Sequence, residues 1–139
     1  GDVHIGIAVA TPEGLITPVI RNADRLSIPE IGAEARLLVE KARNRKLKPE
    51  DYQGSTFTIS NLGMFGIEEF TAIINPPNVA ILAIGAARPK PVAVESAVVI
   101  RERMRVTMSC DHRVVDGAVG AQYLQTFQQY LEQPLRLLV

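Results

Sequence analysis

The chain has no tryptophan, one cysteine and two histidines, and each scarcity removes a class of protein. The lone Cys110 excludes an internal disulfide and fits a reducing compartment. With one cysteine and histidines only at positions 4 and 112, no zinc-ligand spacing exists. A metal site built from carboxylates alone has nothing to motivate it, so no metal is expected. Net charge is missing too. Fifteen Lys+Arg balance fifteen Asp+Glu, which leaves no electrostatic footprint for nucleic acid or an anionic membrane. No apolar run approaches the roughly 18 residues of a membrane span. The opening Gly1-Asp2-Val3-His4 has the pattern of neither a signal nor a transit peptide.

What is present is a globular composition. Of 139 residues, 47% are hydrophobic and 22% charged, which fits one domain with a core rather than a disordered chain. Val3, Ile5, Ile7 and Val9 alternate with smaller or polar residues, the period of a half-buried strand. Thr11-Pro12-Glu13-Gly14 then forms a turn, and Leu15 to Ile20 returns, so the chain is expected to begin with a hairpin. Ser27-Ile28-Pro29-Glu30 has the form of a capping box. Behind it Ile28, Ile31, Ala35, Leu38 and Ala42 predict a helix to about Lys46, with Arg43, Arg45 and Lys46 facing the dipole's negative end.

Thr56–Ser60 reads as a strand running into Asn61-Leu62-Gly63-Met64-Phe65-Gly66, with a short helical piece expected around Ile67–Phe70. Asn75-Pro76-Pro77-Asn78 is a stiff corner. The strand after it, Val79–Ile84, is apolar enough to be buried on both faces. Val98–Ile100 and Met104–Cys110 look like partners joined near Arg101–Arg103. A last helix starts at Asp116 or Gly117, carries Ala118, Ala121, Leu124, Phe127 and Leu131 on one face, and ends at Gln133-Pro134. The expected architecture is α/β (α+β): a mixed, largely antiparallel sheet with two covering helices.

One run could carry chemistry. In Asp111-His112-Arg113-Val114-Val115-Asp116-Gly117 a strand stops, delivers an imidazole and opens a helix. Neutral imidazole takes a proton near pH 7. Asp116 can cap the helix or anchor a basic partner and stiffen the turn, with Arg113 the nearest candidate. By spacing alone, His112 is equally a histidine satisfied in a turn. Cys110 could carry an acyl group beside His112, but small buried hydrophobe is the ordinary fate of a free cysteine. His4 has no partner nearby in sequence and reads as a surface or interface residue.

Four ordered blocks add weight: Gly14-Leu15-Ile16-Thr17-Pro18-Val19, Thr56 through Gly63, Ile74-Asn75-Pro76-Pro77 and Asp111 through Ala118. On these the whole chain resembles the catalytic domain of the dihydrolipoamide acyltransferases, the cores of 2-oxo acid dehydrogenase complexes. The wording of Asn61–Gly66 and Ser109–His112 is most similar to the pyruvate branch. The resemblance implies a chloramphenicol-acetyltransferase-like fold and transfer of an acetyl group between dihydrolipoamide and coenzyme A. By position it makes His112 the general base, Ser60 the hydroxyl facing the tetrahedral intermediate, and Asp116 the residue holding the histidine's turn.

Contact with coenzyme A is expected at Asn61, Gly63, Met64, Phe65 and Phe70, since glycines admit a ligand close to the backbone and the arm is largely apolar. The resemblance further implies a homotrimer or larger cage whose active site is shared between copies. It implies the lipoyl domain and other components of the complex as partners, and bacterial cytoplasm or mitochondrial matrix as location. The residues 1–139 correspond to the C-terminal portion of the family's catalytic domain, so the fold is expected to be N-terminally truncated and the lipoyl-bearing domain absent. A truncated core acting only as an assembly scaffold is the alternative function. An acetyltransferase of the same fold with a hydroxyl acceptor is a third reading that the His112–Gly117 pattern alone leaves open.

Overall fold

A computed structural model describes residues 1–138. Its main sheet has five strands in the order β4-β1-β5-β6-β9, formed by β1 (Ile5–Ile7), β4 (Val19–Ile20), β5 (Phe57–Asn61), β6 (Ala80–Ile84) and β9 (Val106–Cys110). The centre is parallel, β1 to β5 to β6, and both edges are antiparallel. Two separate hairpins, β2 (Val9–Thr11) with β3 (Gly14–Ile16) and β7 (Arg88–Val94) with β8 (Ala97–Arg103), add antiparallel pairs. The main sheet is therefore mixed, two pairs parallel and two antiparallel, and the hairpins put antiparallel pairs in the majority.

The parallel step from β1 to β5 requires a crossover, which a helix supplies. That helix, α1 (Ile28–Arg43), starts as its capping box dictates: the Ser27 N–H donates to the Glu30 carboxylate at 2.7 Å and the Glu30 N–H to the Ser27 hydroxyl at 3.4 Å. The bond from the Ser27 hydroxyl, then that from its backbone, holds the Glu30 carboxyl below its ordinary value. The helix stops at Arg43 rather than Lys46, because Arg45 turns left-handed at φ 56° and sends its guanidinium to Glu13. A short helix α2 (Pro49–Tyr52) follows. The core forms between α1 and the sheet, from Val9, Val19, Ile20, Leu38 and Leu82. β6 is buried on both faces, as its unbroken apolar run predicts.

The expected opening hairpin forms in one register, from Thr11 opposite Gly14 to Ile5 opposite Ile20, with the Ile7 N–H donating to the Pro18 carbonyl between its two halves. Three expectations need correction. Val98–Ile100 does not pair with Met104–Cys110. It lies in β8, whose partner is β7, and β9 instead pairs with β6, Cys110 opposite Ala80. β7 escaped notice because Pro89 and Pro91 break the strand signature, and proline is tolerated only at a sheet edge. Residues 67–75 form no helix; the helical turn there is a 3-10 turn one step earlier, Gly63–Phe65. Finally α3 (Gly117–Glu132) is rolled relative to the expected face. It seats on Gly120, which is buried, with Leu124 and Phe127 half-buried, while Ala118, Ala121 and Leu131 are exposed. The cause is close approach: a Cβ on Gly120 would lie 3.2 Å from the Met108 methyl and 3.7 Å from the Cys110 sulfur.

The irregular 66–75 strap lies so close to the end of β6 that a Cβ on Gly85 would collide with the Glu68 carbonyl oxygen. The Ala86 N–H donates to the Ile67 carbonyl at 2.7 Å, so the backbone cannot simply move aside. Gly85→Ala is expected to lower the stability of the chain by about 3 kcal/mol, the upper range for overpacking a core. Denaturant midpoints of the two proteins would measure it; an unchanged midpoint would contradict the packing described.

Candidate active site

Ser60 and His112 leave the sheet at opposite ends. Ser60 sits in the last turn of pleat of β5, opposite Ala83. β9 runs antiparallel to β6, and after Cys110 the Asp111 N–H still donates to the Val79 carbonyl at 2.8 Å. Asp111 is thus level with Val79 and Ser60 level with Ala83, four residues apart along the sheet and two strands apart across it. At about 3.3 Å per residue and 4.8 Å per strand, that separates their backbones by about 16 Å. Within one chain the hydroxyl of Ser60 and the imidazole of His112 do not share a site.

Each is nonetheless free for a partner. His112 is exposed, in the turn between β9 and α3. Among the described residues neither its ring nor the Ser60 hydroxyl is hydrogen-bonded, so Ser60 is not spent on its own turn. Downstream of Ser60, the Asn61 side-chain carbonyl accepts the Gly63 N–H at 2.8 Å and starts the 3-10 turn. That turn thrusts Met64 and Phe65 into solvent, 73% and 69% exposed, while Phe70 is half-buried. Gly63 serves a different close approach from the one expected. A Cβ there would stand 3.0 Å from the Gly85 carbonyl and 3.1 Å from the Ala86 Cα, so this glycine admits the chain's own backbone.

The turn carrying His112 is tightly framed. The Asp111 carbonyl accepts the N–H groups of Val114 and Val115, both at 2.9 Å. The Asp111 carboxylate accepts the Arg113 N–H at 3.0 Å and grips its guanidinium, Nε at 2.9 Å and Nη2 at 2.6 Å. These bonds, the side-chain ones first, lower the Asp111 carboxyl from 3.8 to about 2. A depressed carboxyl stabilises above its ordinary value and loses that contribution only as the pH falls towards 2. The frame is therefore intact wherever a histidine titrates. Arg113 pairs with Asp111, not with Asp116 as the spacing suggested. Asp116 caps α3, its Oδ1 accepting the Val119 N–H at 2.9 Å and its carbonyl the Gly120 N–H.

The remaining candidates settle into structural roles. Cys110 faces α3 beneath Gly120, its sulfur 3.7 Å from where a Cβ on that glycine would lie. His4 is half-buried, its Nδ1 accepting the Asn22 N–H at 3.0 Å, so it ties the end of β4 rather than serving the surface. Among the described residues no group of three or more His, Cys, Asp or Glu side chains is placed to hold a metal ion. A groove of about 530 Å³ between β8, β9 and α3 is lined by Met104, Val106, Leu124 and Phe127, and reaches neither Ser60 nor His112.

Comparison with known proteins agrees with this architecture. The family model of the 2-oxoacid dehydrogenases acyltransferase (catalytic domain) matches residues 1–139. The dihydrolipoyllysine-residue acetyltransferase component of the pyruvate dehydrogenase complex of Rickettsia conorii is 46% identical, over 99% of this chain and 34% of the relative. Mitochondrial component 3 of Arabidopsis thaliana is 50% identical over 99% of this chain and 26% of its own length. The chain thus spans about a third or less of the length of these relatives. Among solved structures, the Azotobacter vinelandii dihydrolipoamide acetyltransferase superposes with a TM-score of 0.95 at 44% identity, covering 99% of this chain and 56% of that one. The cubic core of the pyruvate dehydrogenase multienzyme complex gives the same values. Work on the Azotobacter enzyme concerns the catalytic roles of a serine, a histidine fifty-two positions later and an asparagine four beyond that. The chain belongs to the 2-oxoacid dehydrogenase acyltransferase family, of which it carries catalytic-domain sequence.

Proposed function

We propose that this chain is the part of an acetyltransferase that carries the base and the oxyanion donor for moving an acetyl group between dihydrolipoamide and coenzyme A. The observation that carries the reading is the placement of Ser60 and His112: unbonded and at opposite ends of one sheet. That is the arrangement expected when each chain gives its serine to one site and its histidine to another. In the Azotobacter enzyme the serine, histidine and asparagine have the spacing that Ser60, His112 and Asp116 have here, with aspartate in place of asparagine. The same main-chain cap is available to either residue.

The chemistry follows from the groups. A thiol with a pKa near 8.5 is only a few per cent thiolate at neutral pH, and the thiolate is the nucleophile. His112 of one chain removes the thiol proton as the sulfur attacks the thioester carbonyl. Ser60 of the neighbouring chain donates to the oxyanion that forms. Collapse of that intermediate breaks the bond to the second sulfur, which takes the proton back from the imidazolium. Met64 and Phe65, held out on the 3-10 turn after Ser60, offer an apolar surface to a flexible arm, with Asn61, Gly63 and Phe70 supporting the turn. Asp116 fixes where α3 begins behind the histidine.

The sharing of the site calls for self-association, and the cubic core of the similar complex is an assembly. Exposed Leu15, Ile73, Val98, Ile100 and Leu135 supply apolar surface for a homotrimer or a larger cage. The lipoyl group would arrive on a separate domain, in a bacterial cytoplasm or a mitochondrial matrix. Acetyl transfer from acetyl-coenzyme A to free dihydrolipoamide by the intact assembled protein tests the reading. Turnover with the dithiol and none with a dihydroxy analogue is expected. An assembled protein with Ser60 and His112 in place and no turnover would leave the scaffold function instead.

A further inference from the structure

His112 presents a difficulty for a general base: its ring has no orienting hydrogen bond among the described residues, and its side chain is exposed. A base must be held within hydrogen-bond reach of the proton it takes, and geometry counts before acidity. Asp116, the expected orienter, is occupied at the helix cap. What does hold the residue is its backbone, and both flanking residues contribute.

We infer that Asp111 and Arg113 are positioning residues for His112, closing a polar frame around its peptide unit so that the imidazole is aimed by the main chain. Four sets of bonds make the frame. The Asp111 N–H anchors it to the Val79 carbonyl, just ahead of strand β6, whose first four residues are buried. The Asp111 side chain reaches over His112 to the Arg113 N–H, an Asx turn that fixes the histidine's dihedrals. The Asp111 carbonyl takes two further N–H groups, from Val114 and Val115. The Arg113 guanidinium closes the outer side, both Nε and Nη2 meeting the carboxylate in the strong fork geometry.

The distribution of exposure fits this role. The Asp111 side chain is 22% exposed and Arg113 88%. An ion pair whose arginine faces solvent contributes little to global stability, so its use is local. This inference rests on the reading of His112 as the base.

The test is made on the intact assembled protein, with kcat and KM for dihydrolipoamide measured for Asp111→Ala, Asp111→Asn and Arg113→Met, alone and on a His112→Ala background. A base misaimed by an ångström costs about 10²-fold. Asp111→Ala is therefore expected to lower kcat about 10²-fold with KM changed less than about twofold. Asp111→Asn keeps the acceptor for the Arg113 N–H and recovers part of that loss. Arg113→Met, at a solvent-facing position where folding is undisturbed, removes the closing fork, leaves the three backbone-anchored parts of the frame and lowers kcat about tenfold. On the His112→Ala background none of the three lowers the residual transfer further, because they act only through the imidazole. Asp111→Ala and Arg113→Met proteins with kcat within about twofold of the parent, beside an inactive His112→Ala protein, overturn the frame alone. Equal losses with and without His112 overturn it too, by showing general damage to the fold. A fully active His112→Ala protein overturns the base and the frame together.

Discussion

Replacing His112 by alanine in the assembled protein is expected to lower acetyl transfer by about 10²–10⁴-fold, the usual contribution of a general base. The fold should be untouched. The side chain is exposed and unbonded, and the turn around it is held by Asp111 and by the Asp116 cap. Thermal unfolding of the variant should therefore coincide with that of the parent while kcat collapses. The rate lost should return in part as the pH is raised, since more of the attacking thiol then ionises without help. A His112→Ala protein whose rate is low and does not rise with pH would point to lost binding rather than a lost base. Steady-state rates from pH 6 to 9, with both thiol substrates saturating, make the measurement.

Replacing Ser60 by alanine is expected to lower kcat by about 10²–10³-fold, the loss seen when one preorganised donor to an oxyanion is removed. KM should hold, because the hydroxyl meets a charge that exists only at the tetrahedral stage. The pH profile should keep the parent's shape, in contrast to the histidine variant. Ser60 lies within strand β5, opposite Ala83, and alanine leaves the backbone of that strand unchanged, so the sheet survives the change. A threonine at 60 would keep the donor and crowd it; its kcat should lie between serine and alanine. Equal kcat for serine and alanine proteins would remove Ser60 from the mechanism.

Much of the scaffold behind these residues is legible in the sequence, for local reasons. Ser27 and Glu30 announce the start of α1 because both partners of the reciprocal cap are three residues apart. The unbroken apolar run of β6 announces a strand covered on both faces. Asp116 before Gly117 announces a helix start. What was not legible depends on partners distant in sequence. Nothing in Val98–Ile100 says that its partner is the proline-bearing Arg88–Val94, or that β9 lies beside β6.

The strap after Gly66 does not form the short helical piece expected around Ile67–Phe70. Its backbone carbonyls are instead taken by Ala86 on Ile67 and by Arg88 on Gly66, while Lys90 holds the Glu68 side chain. The glycine at 63 suggested an approaching ligand when the approaching group is the backbone at Gly85. Asp111, which the inferred frame makes a positioning residue, was passed over. Its signal was present, an aspartate two residues before an arginine, the spacing of an Asx turn with a closing ion pair. Arg113 had two carboxylates within reach by sequence, Asp111 and Asp116, and only the fold separates them.

One site draws Ser60 and His112 from different chains in this mechanism, since strand register separates the Ser60 backbone from that of Asp111, the neighbour of His112, by about 16 Å within a chain. The most direct test mixes two inactive proteins. Ser60→Ala and His112→Ala chains, dissociated together and reassembled, form sites in which an intact serine from one variant meets an intact histidine from the other. Transfer activity far above that of either variant assembled alone is the predicted result. Mixed assemblies as inactive as their parents would contradict the account and return both residues to a single chain.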